Sequence, residues 1–345
     1  MPIVLDDVNA LAAIDRGGII RQMTAIADQL DQSLSTDVRV EQGAEKLCLC
    51  GLGGSAMGAD VLSGHMERTS KVMTSVVRDA VLPAWVDRDT LVILISYSGN
   101  TRETLAMFEE AHRREARIAV ISSGGRLIKA SKDKGDPSVL VPPGLQPRAA
   151  LGHLLGAAAS VMGSAGLSTV DKELRAILPA IRKELEACSP QMETASNVAK
   201  QTAIRLAGKM PFIYSSRNVQ PAGRRWQTQI NENSKMLCLY GELPEADHNQ
   251  VVGWVDGVRR PECQPVFLRA SSDHGMMAEI VKATISIFED FHLDPVLVDL
   301  DGDTPLENIM RGIVLGDHVS YYLAMLKGVD PMPVSSIGEL KKRLG

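Results

Sequence analysis

Aromatic residues are scarce in this chain: three Trp, five Tyr and five Phe among 345 residues. That argues against a surface for stacking bases, which needs aromatic platforms. Excess positive charge is missing as well. The net charge of −5 offers no general attraction to nucleic acid or anionic membrane, so neither is expected as a partner. Cysteine is sparse, with five residues, no CxxC pair and no histidines at metal-ligand spacing. No metal and no other cofactor is therefore expected. Cys48 and Cys50 lie two apart on an expected strand, where they share a face but cannot easily pair. Reduced thiols in a cytoplasmic protein are the expectation. The start, Met-Pro-Ile-Val-Leu-Asp-Asp, lacks the basic residues and apolar core of a secretory signal. The most apolar helical stretch, from Ala149 to Leu167, holds His153 and many Gly, Ala and Ser residues. Such a composition suits a tightly packed interior helix, not a membrane span.

What is present is an ordinary globular composition, 45% apolar and 23% charged, in a chain long enough for two domains. Short Val, Ile and Leu runs alternate with longer helical patterns. That alternation predicts an α/β fold with parallel sheets and helices on both faces. Strands are expected near 46–51, 73–78, 91–96, 117–122 and 138–141, then near 210–215, 236–240, 264–269 and 294–299. Helices are expected near 55–67, 101–115, 124–133, 221–233, 275–290 and 304–327. Residues 150–207 carry no strand pattern. The chain thus reads as two αβα sandwiches, 1–165 with an N-terminal helical segment and 166–345 with a helical linker and a C-terminal helix.

The most informative stretch is Leu91-Val-Ile-Leu-Ile-Ser-Tyr-Ser-Gly-Asn-Thr-Arg-Glu-Thr104. An apolar run stops in hydroxyls and a glycine, then opens into a helix. Ser96, Ser98 and Thr101 supply side-chain donors, Gly99 lets backbone N–H groups approach, and the helix N-terminus favours negative charge. A capping role accounts for one hydroxyl but not for all of them. A second turn of this kind, Gly51-Leu-Gly-Gly-Ser-Ala-Met-Gly58, brings Gly54 and Ser55 after an earlier apolar run. It also satisfies the dinucleotide pattern G-x-G-x-x-A, with Asp79 ending the next strand where a ribose-binding acid would sit. A nicotinamide-dependent dehydrogenase therefore stays open as an alternative to a phosphorylated small ligand.

Farther on, a proline-rich loop delivers Arg148 to the start of the small-residue helix. There the helix dipole disfavours a cation unless it balances an anion. Glu232 lies between two asparagines at the end of the helix Arg224–Lys235, where a parallel sheet is expected to expose its active edge. A surface pair with Lys235 at i,i+3 is the plain alternative; a carboxylate opposing the helix dipole suits a general base. His248 follows in a polar loop, Pro244-Glu-Ala-Asp-His-Asn. Lys341 falls in a last helical turn, where lysine ordinarily complements the dipole.

Together the strings GLGGSAMGAD, SYSGNTRET, PRAALG, RWQTQINENSK and PEADHNQVVGW resemble, in order, the signatures of the bifunctional phosphoglucose/phosphomannose isomerase family. This family belongs to the sugar isomerase (SIS) domain superfamily. The likeness covers nearly the whole chain. SYSGNT is common to SIS proteins; NENSK, the His-Asn loop and a terminal Leu-Lys are more specific. The resemblance implies two SIS-type subdomains and an aldose–ketose isomerase acting on glucose 6-phosphate and mannose 6-phosphate. It also implies a phosphate held by Gly54, Ser55, Ser96, Ser98 and Thr101. Glu232 is then the base, Arg148 the enediolate stabiliser, and His248 with Lys341 the ring-opening pair. It further implies a homodimer with His248 entering the partner chain's site. Where the family tends to have a threonine shortly before the terminal lysine, Val334 or Ser335 stands here, which bears on acceptance of the mannose epimer. The same phosphate turns serve non-catalytic sugar-phosphate sensors and aminosugar-phosphate isomerases. A sensor gives Glu232 and His248 no task.

Overall fold

The computed structural model describes residues 4–257 and 261–343, the side chain of Lys341 excepted. The chain divides into two compact units, one of residues Gln22–Pro179 and one of Ala180–Gly345 together with Met1–Arg21.

In the unit Gln22–Pro179 the strands are β1 (Lys46–Gly51), β2 (Met73–Val77), β3 (Thr90–Ile95), β4 (Arg117–Ser122) and β5 (Ser138–Leu140). They form one sheet in the order β2-β1-β3-β4-β5, and every pairing is parallel. β3 is central and buried along its whole length, which is why its sequence is almost continuously apolar instead of alternating. Cys48, Cys50, Val92, Leu94 and Val120 face one side. There they pack against Met107 and Phe108 of the helix Arg102–Arg113 and Leu127 of the helix Gly125–Lys134. The thiols of Cys48 and Cys50 lie 3.6 Å apart, both free, as their shared face requires. On the other side runs the helix Leu151–Ser164, buried through most of its length. Its glycines admit a neighbour: a Cβ at Gly152 would lie 2.4 Å from the Ile26 carbonyl, so the helix Ile26–Leu34 can lie directly against it. His153 Nδ1 and Ser33 Oγ close the contact at 2.9 Å.

The other unit carries β6 (Met210–Ser216), β7 (Leu239–Leu243), β8 (Cys263–Ala270) and β9 (Val296–Leu300), ordered β7-β6-β8-β9 and again all parallel. The two sheets are the pair of αβα sandwiches expected from the alternation. β7 begins three residues later than the apolar run 236–240 suggests. The cause is local. Lys235 ends the preceding helix with φ 51°, and Asn231 Oδ1 accepts from Cys238 N–H at 3.0 Å. Gln227 Nε2 donates to the Cys238 carbonyl at 3.3 Å, so side chains take the backbone groups a ladder would need.

The helix Gln220–Ser234 is locked on the long helix Pro305–Lys327. Arg225 makes a buried bidentate pair with Asp317 at 2.7 and 2.8 Å, and Trp226 Nε1 donates to the Gly312 carbonyl at 2.8 Å. Gly316 leaves room for the indole, since a Cβ there would come within 2.3 Å of it. The N-terminal segment joins this unit, although the strand pattern grouped it with residues 1–165. Asp6 accepts from Lys200 Nζ at 2.8 Å, and Lys200 is wholly buried. A buried ammonium needs such acceptors, and the Pro190 and Met192 carbonyls supply the rest. The first unit likewise extends past residue 165, to Pro179.

His318, on the long helix and fully buried, has its proton affinity lowered by burial, opposed by the Val314 carbonyl and by Asp317 and Glu184. Its folded pKa lies below the unfolded 6.5, so its contribution to stability is complete above that value. The contribution fades as pH falls below 6.5 toward the folded pKa, because only the unfolded chain takes up the proton. We expect the melting temperature to drop between pH 7.5 and 5.5, and to drop less in His318→Leu. Equal drops in differential scanning fluorimetry would remove His318 as a cause.

Candidate active site

The hydroxyl-rich turns meet at the carboxyl edge of the first sheet, where open α/β sheets place ligands. The turn after β1 is a 3-10 segment, Gly53–Ala56, leading into the helix Met57–Thr69. Ser55, largely buried, accepts from the Tyr97 N–H at 3.1 Å, so the turns after β1 and β3 are tied together. Ser96 is buried and donates to Thr101 Oγ1 at 3.0 Å. Thr101 precedes the helix Arg102–Arg113, yet its side chain makes no capping bond. The simple capping explanation therefore fails here. Ser98 is exposed, its Oγ accepting from the Asn100 N–H at 3.3 Å.

Gly99 is required twice over. Its φ is +65°, and a Cβ would fall 1.9 Å from the Gly124 carbonyl oxygen. Gly54 has a separate task, since a Cβ there would come within 2.8–2.9 Å of Arg148 N and Cα. Its lack of a side chain lets the 3-10 turn Pro147–Ala149 press on the turn that carries Ser55. Arg148 is only 2% exposed. It is thus no surface arginine; its guanidinium donates to Gln146 Oε1 at 3.4 Å. A buried arginine whose backbone packs on the Ser55 turn, at a sheet edge carrying hydroxyls and a helix N-terminus, suits an anionic ligand.

Two participants escaped sequence reading. Tyr97, lying between the serines, reads as a spacer, yet its hydroxyl donates to the Pro142 carbonyl and accepts from the Leu145 N–H, both at 2.9 Å. Arg78 pairs with buried Asp60 behind the glycine turn and reaches the Ala56 carbonyl at 3.5 Å. Only the position of Arg78 at the end of the expected strand 73–78 hinted at it. Asp79, the ribose acid of the dinucleotide alternative, is exposed and accepts from the Ala80 N–H.

In the other unit Glu232 is half-buried near the end of the helix Gln220–Ser234. Because β6 and β7 are parallel, that helix leaves the carboxyl end of β6 and returns to the amino end of β7. Glu232 therefore sits toward the amino edge of its own sheet, not at the carboxyl edge as expected. Its neighbours are firmly placed: Asn233 Nδ2 donates to Ser320 Oγ at 2.9 Å, and Ser234 Oγ donates to the Ser320 carbonyl at 2.7 Å. Lys235 Nζ donates to the backbone carbonyls of Glu232 and Pro331, at 2.5 and 3.0 Å. At the carboxyl edge of this second sheet Asp273 accepts from Ser216 Oγ at 2.7 Å and from Asn218 Nδ2.

His248 is exposed on the 3-10 turn Glu245–His248 after β7. Burial raises the neighbouring Asp247 carboxyl, against a hydrogen bond from Thr284 at 2.9 Å and the pull of His248. Lys341 belongs to the helix Ser335–Arg343, but its side chain lies outside the described residues. Val334, half-buried, precedes that helix and accepts from the Ile337 N–H at 3.1 Å. Among the described residues no group of three or more His, Cys, Asp or Glu is placed to hold a metal ion, and no helix is long and apolar enough to cross a membrane.

Comparison with known proteins agrees with this fold. A family model described as SIS domain matches residues 42–131, and one described as the bacterial phospho-glucose isomerase C-terminal SIS domain matches residues 195–344. A bifunctional phosphoglucose/phosphomannose isomerase from Aquifex aeolicus is 36% identical over 299 residues, covering 86% of this chain and 90% of the relative. One from Caldicellulosiruptor bescii is 33% identical over 332 residues, covering 92% and 94%. A crystal structure of a glucose-6-phosphate isomerase like protein from Thermus thermophilus shares the fold, with a TM-score of 0.68, 21% identity and 99% coverage of both chains. The chain belongs to the bifunctional phosphoglucose/phosphomannose isomerase family.

Proposed function

We propose that this protein interconverts glucose 6-phosphate, and its C2 epimer mannose 6-phosphate, with fructose 6-phosphate through a cis-enediolate. The observation that carries the reading is Arg148, a buried arginine whose backbone packs on Gly54 in the turn of Ser55, at the sheet edge that also carries Ser96, Ser98 and Thr101. The reaction moves one proton between C1 and C2 with no net redox change. It needs a grip on the phosphate, an acid–base pair to open the ring, a base for the proton and a cation for the developing oxyanion.

The four hydroxyls with the Gly54 turn take the phosphate, which stays doubly ionised and remote from the bonds that change. Glu232 removes the proton from one carbon and returns it to the other. Arg148 balances the negative oxygen of the enediolate. His248 and Lys341 exchange the proton that opens the pyranose ring. In this reading the protein works in the cytoplasm as a homodimer, and the exposed His248 loop serves the sugar bound by the partner chain. None of these roles calls on a metal or an organic cofactor.

Purified protein should convert both hexose 6-phosphates in coupled assays run side by side. Absence of turnover on either sugar would refute the proposal. Ser98→Ala should chiefly raise KM, by about tenfold for a lost charge-assisted hydrogen bond, because ground state and transition state hold the phosphate equally. A fall in kcat with unchanged KM would remove Ser98 from the phosphate grip.

A further inference from the structure

We propose that Tyr97 is a positioning residue for Arg148, its hydroxyl setting the loop that carries the guanidinium while its backbone holds the phosphate turns. Within one residue the bonds divide into two sets. The main chain serves the phosphate side: its N–H donates to Ser55 Oγ at 3.1 Å, and its carbonyl accepts from Ser123 Oγ at 2.6 Å and Ser122 Oγ at 3.3 Å. The phenol serves the other side. Its oxygen donates to the Pro142 carbonyl and accepts from the Leu145 N–H, three residues before Arg148. Both of its hydrogen-bonding directions are thereby committed to one loop.

The rest of that loop is tied from elsewhere. Gln146 N–H donates to Gln22 Oε1 at 3.0 Å, Gln29 Nε2 donates to the Ala149 carbonyl at 2.9 Å, and Gly54 lies under the Arg148 backbone. Between Pro142 and Leu145 the phenol is the side chain that fixes the approach. Tyr97 is 5% exposed, and burial raises its phenol against the pull of the Leu145 N–H, so it keeps its proton and remains a donor. A cation that must meet charge only as it develops gains from a frame set in advance. The phosphate donors do not depend on the hydroxyl: Ser55 bonds the main chain of the same residue, Ser96 bonds Thr101, and Ser98 bonds the Asn100 N–H.

This inference rests on the isomerase reading, and its failure is separable from that reading's. A wild-type enzyme without turnover ends the latter; the former is decided by variant against wild type. The experiment measures Tyr97→Phe on fructose 6-phosphate, with inorganic phosphate as competitive inhibitor, alone and combined with Arg148→Lys. Expected are a kcat lowered about tenfold, KM and the phosphate inhibition constant within about twofold of wild type, and a double variant no slower than Arg148→Lys alone. A merely structural hydroxyl would not produce that coupling. An unchanged kcat, losses that multiply in the double variant, or a phosphate constant that rises with KM would each overturn the proposal. A Tyr97→Phe chain that no longer folds would overturn it too, since the hydroxyl would then serve folding.

Discussion

Glu232→Gln is expected to bind fructose 6-phosphate with a KM near that of the parent enzyme and to lose about 10²–10⁴-fold in kcat, the span a positioned base supplies. The substitution keeps the length of the side chain and one carbonyl acceptor, so the helix end has no reason to shift. Its flanks are held independently, by Asn233 on Ser320 Oγ and Ser234 on the Ser320 carbonyl. What disappears is a group able to take a proton from carbon. The loss should fall equally on both directions of the reaction, because one carboxylate both removes and returns the proton. Exchange of the C1 hydrogen of fructose 6-phosphate with deuterated solvent, followed by NMR, should fall in step with turnover. Near-normal kcat in the variant would place the base elsewhere in the chain.

The second large effect is expected at Arg148. Arg148→Lys preserves the charge but replaces a planar fork by a shorter-reaching point charge. An arginine held at 2% exposure, with its backbone pressed on Gly54, leaves little freedom for an ammonium to find the same place. Loss of a preorganised donor to a developing oxyanion costs about 2.7–4 kcal/mol, or roughly 10²–10³ in kcat. Steady-state kinetics on glucose 6-phosphate should show this in kcat, with KM little altered. Were the whole loss in KM, Arg148 would be a ligand of the ground-state phosphate and not of the enediolate.

Much of the fold was legible because parallel strands buried on both faces leave apolar runs that nothing else explains. β1, β3 and β4 begin or end within a residue of where those runs predict. β7 was misplaced because its apolar run includes Leu237, which is 63% exposed, and Cys238, whose backbone is bonded to Asn231. Hydrophobicity marks what is buried somewhere, not which ladder it joins. The hydroxyl-rich turn after β3 was legible as a turn, since Ser96, Ser98 and Thr101 crowd one glycine. Tyr97 was not, because two hydrogen bonds to a loop 45 and 48 residues away leave no local trace.

Local chain chemistry, then, dictates the elements that need only neighbours: the alternation of strand and helix, the left-handed Gly99 of the turn after β3, and the small-residue helix that must be interior. Contacts across long sequence separations decide the remainder. Packing put Arg148 inside instead of on the surface, tied Asp273 to Ser216 at the carboxyl edge of the second sheet, and joined the N-terminal segment to the unit of Lys200. It also set Glu232 toward the amino edge of its sheet. The physical reason is the same in each case. Backbone preference acts over a few residues, whereas burial of a charge and the exclusion of a Cβ are settled only when distant segments meet.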